Sequence, residues 1–272
     1  MQGPQLGAGL SLNLATVREQ YNVIEAAEAC AKHGIRAVDP WRDQVAKVGL
    51  SEAVKATKGN GLTVTGYCRG GMFTSPGAVD DNKRAIDEAA ALGAQCLVFV
   101  VGGLAKDSRD LVEARKVVAD GFAAILPHAR ACKVPLAIEP LHPMYAGDRS
   151  CVNTLKQALD LSDQLGEGTG VAIDVYHVWW DPELDAQIAR AGAAKRILAY
   201  HVCDWLVPTR DLLLDRGMMG DGVIDLARIG RLIEQAGYRG FTEVEIFSAN
   251  DWWKRPGDEV IRTCIERFSR IG

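Results

Sequence analysis

The sequence lacks any long hydrophobic run, which argues against a membrane-spanning helix. Among its 272 residues the longest apolar stretches, such as residues 96–101, reach strand length, whereas a membrane span needs roughly 18 or more. The residues Met1-Gln-Gly-Pro contain no basic group, so we expect no secretory signal. The formal net charge is only −4, which disfavours nucleic acid as a partner. We therefore expect neither a membrane nor a nucleic acid to bind this protein.

Paired cysteines and nucleotide-binding motifs are also absent. The seven cysteines form no Cys-x-x-Cys pair and their number is odd, which favours reduced thiols and a cytoplasmic protein over a disulfide framework. No Gly-x-Gly-x-x-Gly follows the first predicted strand, and no P-loop is present. A dinucleotide-binding fold is therefore disfavoured, and the sequence carries no dedicated phosphate motif.

What the sequence does contain is one repeated pattern, a short β-branched apolar run followed by an Ala-rich helical stretch. We predict strands at residues 6–12, 35–39, 63–68, 96–101, 135–139, 170–174, 197–202 and 243–246. We predict helices at residues 23–33, 50–60, 80–92, 110–132, 152–165, 182–191, 226–236 and 258–268. This alternation predicts an α/β fold, a single (β/α)8 TIM barrel that forms one domain over residues 1–272. The rival fold, a doubly wound open sheet, usually has fewer strands.

Polar residues end the last four predicted strands, where a barrel of this kind places its site. They are Glu139, Asp174, His201 and Glu245. Alanines two residues before the first three point the same way, into the barrel. On the last strand the residue two positions before Glu245 is Glu243 in place of an alanine. Glu243 either packs below the site or competes with Glu245 for its role in the site. Converging carboxylates repel one another unless a cation lies between them, so we predict one divalent metal ion.

The donor set indicates which metal the site prefers. Three carboxylates and one imidazole, with no thiolate, favour Mn²⁺, with Mg²⁺ or Co²⁺ as alternatives and Zn²⁺ as the less favoured ion. His142 and His177 each lie three residues after a proposed ligand, and we predict that they bind substrate hydroxyls, move a proton or add a metal ligand.

The residues that follow the strands indicate the substrate class. All six tryptophans lie outside helix interiors, and Trp41 and Trp205 are predicted to stack on the apolar face of a sugar ring. Tryptophans are also common at subunit interfaces, so a homo-oligomer is an alternative explanation of these residues. Five arginines follow predicted strands and could hold an anionic group of a substrate, although the sequence does not indicate that the substrate is an anion. They are Arg42, Arg69, Arg149, Arg210 and Arg216. Of these, we predict Arg69 and Arg216 as substrate contacts.

Several of these motifs together resemble the xylose isomerase-like TIM barrel superfamily. The resemblance rests on Glu139, the Asp-x-x-His of residues 174–177, His201, the Gly-Asp-Gly of residues 220–222, and Glu245. It covers essentially the whole chain. That superfamily includes sugar isomerases and epimerases, inosose dehydratase and abasic-site endonucleases.

The ketose 3-epimerase branch of that superfamily implies a role for each matching residue. By this resemblance Glu139 and Glu245 bind the metal and act as the acid/base pair. Asp174 and His201 complete the coordination, and His177 contacts the substrate.

This chain departs from both enzyme branches at identifiable positions. Tyr145 stands where the epimerases carry a second glutamate, and Val207 stands where they carry an arginine, which Arg210 or Arg216 could replace. Gly217 stands where the endonucleases have a histidine of their three-zinc cluster.

The resemblance implies a metal-dependent isomerase or epimerase of a small sugar or keto-sugar that acts through a metal-stabilised enediolate. A lyase is the first alternative, because the same enediolate can expel a leaving group from an inosose or a 3-keto-glycoside. A two-metal hydride-shift isomerase, with Asp204 in the second site, is another. A non-catalytic sugar-binding subunit is the alternative from a different class.

Overall fold

The computed structural model describes residues 7–271. The amino-terminal tetrapeptide and the predicted beginning of the first strand at Leu6 lie outside the described residues. Within residues 7–271, none of the helices combines the length and the apolar character that crossing a membrane requires.

Strands and helices alternate along the described chain. The strands are β1 (Leu10–Asn13), β2 (Ala37–Asp39), β3 (Thr63–Val64), β4 (Cys68–Gly71), β5 (Leu97–Val100), β6 (Leu136–Ile138), β7 (Thr169–Asp174), β8 (Ile197–Val202), β9 (Asp204–Trp205), β10 (Arg216–Gly217) and β11 (Thr242–Val244). The helices are α1 (Val23–Lys32), α2 (Arg42–Val48), α3 (Leu50–Gly59), α4 (Ala78–Leu92), α5 (Leu111–Cys132), α6 (Leu155–Leu165), α7 (Val175–Val178), α8 (Leu184–Ala193), α9 (Leu226–Gln235) and α10 (Gly257–Ile271). Three short 3-10 helices lie at Leu14–Val17, Pro143–Tyr145 and Trp252–Lys254.

Parallel pairing closes the main sheet into a barrel. Its strand order is β3-β2-β1-β11-β8-β7-β6-β5-β4. Of the two end strands, β3 lies within the predicted strand 63–68 and β4 begins at the last residue of that prediction, and the segment between them bonds to both sides. Thr65 N–H donates to the carbonyl of Val38 at 3.0 Å, while Val98 N–H donates to the carbonyl of Tyr67 at 3.1 Å. The predicted single TIM barrel is thereby confirmed.

Capping side chains define the beginnings of α1 and α5. Asn22 accepts the backbone N–H of Glu25 at 3.1 Å, and the Glu25 carboxylate accepts the N–H of Asn22 at 2.9 Å. This reciprocal capping satisfies two of the free donors at the start of α1. Asp110 caps α5 without a reciprocal bond, with its carboxylate accepting the N–H groups of Val112 and Glu113.

Some elements differ from the sequence prediction. The fifth predicted helix begins at 152, but α6 begins at Leu155, after the capping residue Thr154. Helix α2 and the single-turn α7 were not predicted, because neither is long enough to show an apolar stripe at helical spacing. The long connection after the seventh barrel strand contains the antiparallel pair β9–β10, which depends on contacts between distant residues.

Small side chains fill the barrel interior below the site. Ala137, Ala172 and Ala199 pack with Cys68 and Val98 in one buried cluster. The alternate side chains of the strands face the surrounding helices, where larger residues form the outer core, as the period of two requires. The small interior residues leave space at the carboxyl ends of the strands for polar groups.

Asn82 of α4 connects this helix to the end of β4, and its replacement is expected to be costly. The side chain is fully buried; its amide donates to the carbonyls of Gly71 (2.8 Å) and Ala78 (2.9 Å), and its Oδ1 accepts the N–H of Gly71. Asn82→Ala would leave buried backbone groups without partners, so we expect a loss of about 3 kcal/mol in the free energy of unfolding. Urea unfolding followed by circular dichroism measures it.

Asn60→Ala is the matched control, because Asn60 is half-buried and bonds only to the carbonyl of Ala56. We expect it to cost less than about 1 kcal/mol. Equal losses in the two variants would contradict the role given to Asn82.

Candidate active site

The structure brings together the four residues that the sequence predicted as metal ligands. One donor atom each of Glu139, Asp174, His201 and Glu245 lies within 4.8 Å of the others, and all four side chains are buried. Asp174 and His201 belong to β7 and β8, while Glu139 and Glu245 directly follow β6 and β11. The group therefore lies at the carboxyl ends of the last four barrel strands.

Strand register explains this convergence. Asp174 of β7 is paired with His201 of β8, and His201 is paired with Glu243 of β11. Because side chains alternate along a strand, Glu243 and Glu245 point the same way, with Glu245 one step nearer the mouth of the barrel. One inward row of side chains thus supplies the site and the layer beneath it.

The imidazole of His201 suits a bound cation. It is fully buried, and neither ring nitrogen has a hydrogen-bond partner among the residues that the structure describes. Nδ1 lies 3.6 Å from Oε1 of Glu139, and Nε2 lies 3.2 Å from Oε1 of Glu243. A buried nitrogen without a partner is costly unless something else binds it. Three carboxylates and this imidazole fit a divalent metal ion.

Burial and neighbouring charges shift the pKa values of these side chains in different directions. Burial raises the pKa of Glu245 to about 8 and also raises the pKa of Glu139. Burial alone would raise the pKa of Asp174, but the charges of Arg216 and His201 outweigh it and hold that pKa below its ordinary value. Burial lowers the pKa of His177 to about 3, so its ring is neutral near pH 7.

Arg216 occupies the centre of the site. Its Nη1 donates to Oδ2 of Asp174 at 2.9 Å and to Oε2 of Glu245 at 2.8 Å. The guanidinium lies over the ring of Tyr176, 4.3 Å from its centroid, and 5.1 Å from that of Phe247. This buried cation comes from β10 in the long connection and supplies a counter-charge to two carboxylates.

A second polar layer lies beneath the first. Glu243 accepts hydrogen bonds from Asn13 Nδ2 (2.9 Å) and Thr65 Oγ1 (2.8 Å). The same Asn13 amide donates to Oε1 of Glu245 at 3.1 Å and so connects the two layers. Burial and the adjacent Glu243 raise the pKa of Asp39. The structure places Glu243 below the site, where it also forms a second group with Asp39 and His201 that could hold a metal ion.

A cavity of about 240 Å³ opens directly onto Glu139 and Glu245. Four of the predicted substrate contacts line it: Trp41, Arg69, His177 and Arg216. Residues that the sequence reasoning did not assign as contacts also line it, among them Arg18, Tyr145, Arg149, Phe247 and Trp253. All of these residues follow barrel strands, and this position is the feature of the sequence from which they could have been predicted as cavity residues.

Two predicted contacts lie elsewhere. His142 packs against Trp205, with their ring centroids 5.1 Å apart, and neither is among the residues lining the cavity. His142 instead donates its backbone N–H to Nδ1 of His177 at 3.2 Å. Trp205 also packs on Tyr176, at 4.7 Å, so these rings support the wall from behind.

Fold and site together define a class of protein, a TIM barrel with a carboxylate-rich metal-binding group at the carboxyl ends of its last four strands. The family model described as xylose isomerase-like TIM barrel matches residues 27–270. The chain belongs to this family, and the resemblance stated from its sequence is confirmed. Among curated proteins, the sequence has no match.

Solved structures extend the comparison. Protein SMc04130 of Sinorhizobium meliloti 1021 is 64% identical, with a TM-score of 0.95 over 97% of this chain and 98% of its own. IolI, solved with a zinc atom, is 20% identical with a TM-score of 0.83 over 96% and 97%. A D-psicose 3-epimerase of Clostridium cellulolyticum H10, solved with D-tagatose, is 17% identical with a TM-score of 0.74 over 96% and 98%. At these identities the last two show a shared fold.

Proposed function

We propose that this chain, as a single domain of residues 1–272, is a divalent-metal-dependent isomerase or epimerase of a small sugar or keto-sugar. The observation that carries the proposal is the convergence of Glu139, Asp174, His201 and Glu245 at the base of a cavity large enough for a small molecule. The known relatives of this fold include an epimerase solved with a ketose, which supports the same class of substrate.

The four converging residues would hold the metal, and their oxygen-rich set favours Mn²⁺ over Zn²⁺, although the related IolI was solved with zinc. When bound there, a divalent cation polarises a carbonyl oxygen and lowers the pKa of the adjacent C–H.

The side chains of the site supply proton transfer and substrate binding. Glu139 and Glu245 both line the cavity and are the carboxylates placed to remove a proton from substrate carbon and to return one. Neutral His177 contributes a ring nitrogen to the same wall and orients substrate oxygens. Arg216 holds Asp174 and Glu245 in place through its hydrogen bonds. Trp41 offers an apolar face to the sugar ring.

One observation favours elimination as a second candidate. Tyr145 stands where the ketose 3-epimerases carry a glutamate, and its ring lines the cavity while its hydroxyl donates to the carbonyl of Leu212 at 2.6 Å. Because tyrosine replaces this glutamate, the cavity wall offers a ketose one carboxylate contact fewer than the wall of a ketose 3-epimerase. A lyase acting on an inosose or a 3-keto-glycoside would use the same proton removal.

Metal removal combined with solvent deuterium tests both candidates. We expect chelation to lower turnover at least about a thousandfold, and Mn²⁺ to restore it more fully than Zn²⁺ does, in a screen of ketoses, inososes and 3-keto-glucosides. Deuterium from D₂O retained in an isomeric product supports isomerisation, whereas loss of water or an aglycone identifies a lyase. Isomerisation without deuterium and with two metals bound per chain would instead indicate a hydride shift. Binding of these compounds without turnover in any metal-loaded form would contradict an enzymatic role.

We further propose that the protein is located in the cytoplasm and forms a homo-oligomer, as its sequence predicts. All seven cysteines are free thiols, which suits a reducing compartment.

A further inference from the structure

Two arginines on the cavity wall have no acidic partner. Arg69 lies in β4 and Arg149 in the connection between β6 and α6, and both are half-buried and line the cavity above Glu139. Neither forms an ion pair with any acidic side chain in the described range 7–271. The guanidinium of Arg149 lies over the ring of Tyr145, 5.5 Å from its centroid, which leaves its donors free for another group.

The other two arginines of this cavity are already neutralised. Arg18 pairs with Asp43, and Arg216 pairs with Asp174 and Glu245. Three carboxylates of the site are balanced by one divalent cation together with Arg216. Arg69 and Arg149 would therefore remain without an ion-pair partner in the metal-loaded site.

Keeping two like charges near one another in a partly buried wall costs free energy. Burial and the adjacent charge of Arg149 lower the pKa of Arg69 from its ordinary value, which is the expected consequence of such crowding. An arrangement of this kind is a feature of ligand sites rather than of stable packing, because an incoming anion removes the repulsion.

We infer that Arg69 and Arg149 form an anion subsite of the active-site cavity, and that the substrate is a keto-sugar derivative carrying a carboxylate or phosphate group. The guanidinium forks bind the oxygens of that group, while the opposite part of the substrate reaches Glu139 and Glu245. This inference rests on the proposed function, since it assigns one end of the same substrate. It requires no phosphate-binding motif, because one side chain comes from strand β4 and the other from the connection between β6 and α6.

Three related six-carbon ligands test the inference by calorimetric titration of the full-length Mn²⁺-loaded protein at constant ionic strength. D-fructose is neutral, D-fructose 6-phosphate carries a phosphate at C6, and D-fructuronate carries a carboxylate at C6, so in both anions the charge lies at the end opposite the C2 ketone. We expect at least one anionic ligand to bind at least about tenfold more tightly than fructose. Whichever anionic ligand binds more tightly identifies the group that the subsite accepts.

Arg69→Gln and Arg149→Gln are each expected to weaken the binding of that anion at least about tenfold more than they weaken the binding of fructose, and to leave Mn²⁺ affinity unchanged. The melting temperature of both variants should not fall, because each change removes a like-charge repulsion. Arg231→Gln, at an exposed position of α9, is the charge-matched control and should alter nothing.

Equal affinity for the neutral and both anionic ligands would overturn the inference, as would unchanged anion binding in the two variants. Loss of fructose binding together with a lower melting temperature would also overturn it, because that result indicates a purely structural role. Anion binding through both arginines without any turnover would contradict the proposed reaction and leave the subsite standing. Metal-dependent turnover of neutral keto-sugars, with anion binding unaffected by either variant, would contradict the anion subsite and support the proposed reaction.

Discussion

Glu139→Gln and Glu245→Gln are each expected to lower turnover at least about a thousandfold at saturating metal. Both carboxylates line the cavity and belong to the metal-binding group, so each substitution removes a proton acceptor from the substrate's vicinity. Glutamine keeps the size and one oxygen donor of glutamate, so we expect metal affinity to weaken without disappearing. The loss of turnover should therefore persist when Mn²⁺ saturates the variant.

Two measurements separate chemistry from metal binding in these variants. Calorimetry gives the Mn²⁺ affinity, and the rate is then measured far above that dissociation constant on the substrate found by screening. Glu113→Gln, an exposed change in the first turn of α5, is the control and should retain full turnover. Full turnover in both site variants would exclude these glutamates as the acid and the base.

Arg216→Met is expected to lower the free energy of unfolding of the metal-free protein by about 3–5 kcal/mol. The guanidinium is buried and donates to Asp174 and Glu245 at 2.9 and 2.8 Å, so its removal leaves two buried carboxylates without a counter-charge. Methionine keeps much of the volume that packs on Tyr176 and Phe247. Urea unfolding in the presence of a chelator measures the loss.

Saturating Mn²⁺ should reduce that loss, because the metal supplies positive charge to the same carboxylates. Arg228→Met is the control, since Arg228 is half-buried and its partner Asp185 is exposed, and this solvent-accessible pair should contribute less than about 1 kcal/mol. A metal-free Arg216→Met protein as stable as the wild type would show that the guanidinium is not the counter-charge.

The site ligands were predictable from the sequence because they depend on local pattern. Each of Glu139, Asp174 and His201 ends a β-branched apolar run two residues after an alanine, and the period of a strand then places all three on the inner face. The fold follows from the same regularity, because repeated strand and helix units of this number close into a barrel.

The cavity wall was harder to predict because loops build it. Tyr145 and Arg149 reach the cavity through a 3-10 turn and the connection that follows it, and His142 in the same connection turns away to pack on Trp205. Nothing in the local spacing distinguishes these outcomes, since loop backbone follows contacts with distant residues rather than a period.

The amino-acid sequence by itself determined the order of strands and helices, the inward row of alanines and the identity of the four converging donors. Tertiary structure alone decided that Glu243 lies below the site, where Asn13 and Thr65 bind it, and that Arg216 stands among the carboxylates. The physical reason is that periodicity specifies which face a side chain joins. Only packing between distant segments specifies which charges meet there and which, like Arg69 and Arg149, are left without a partner.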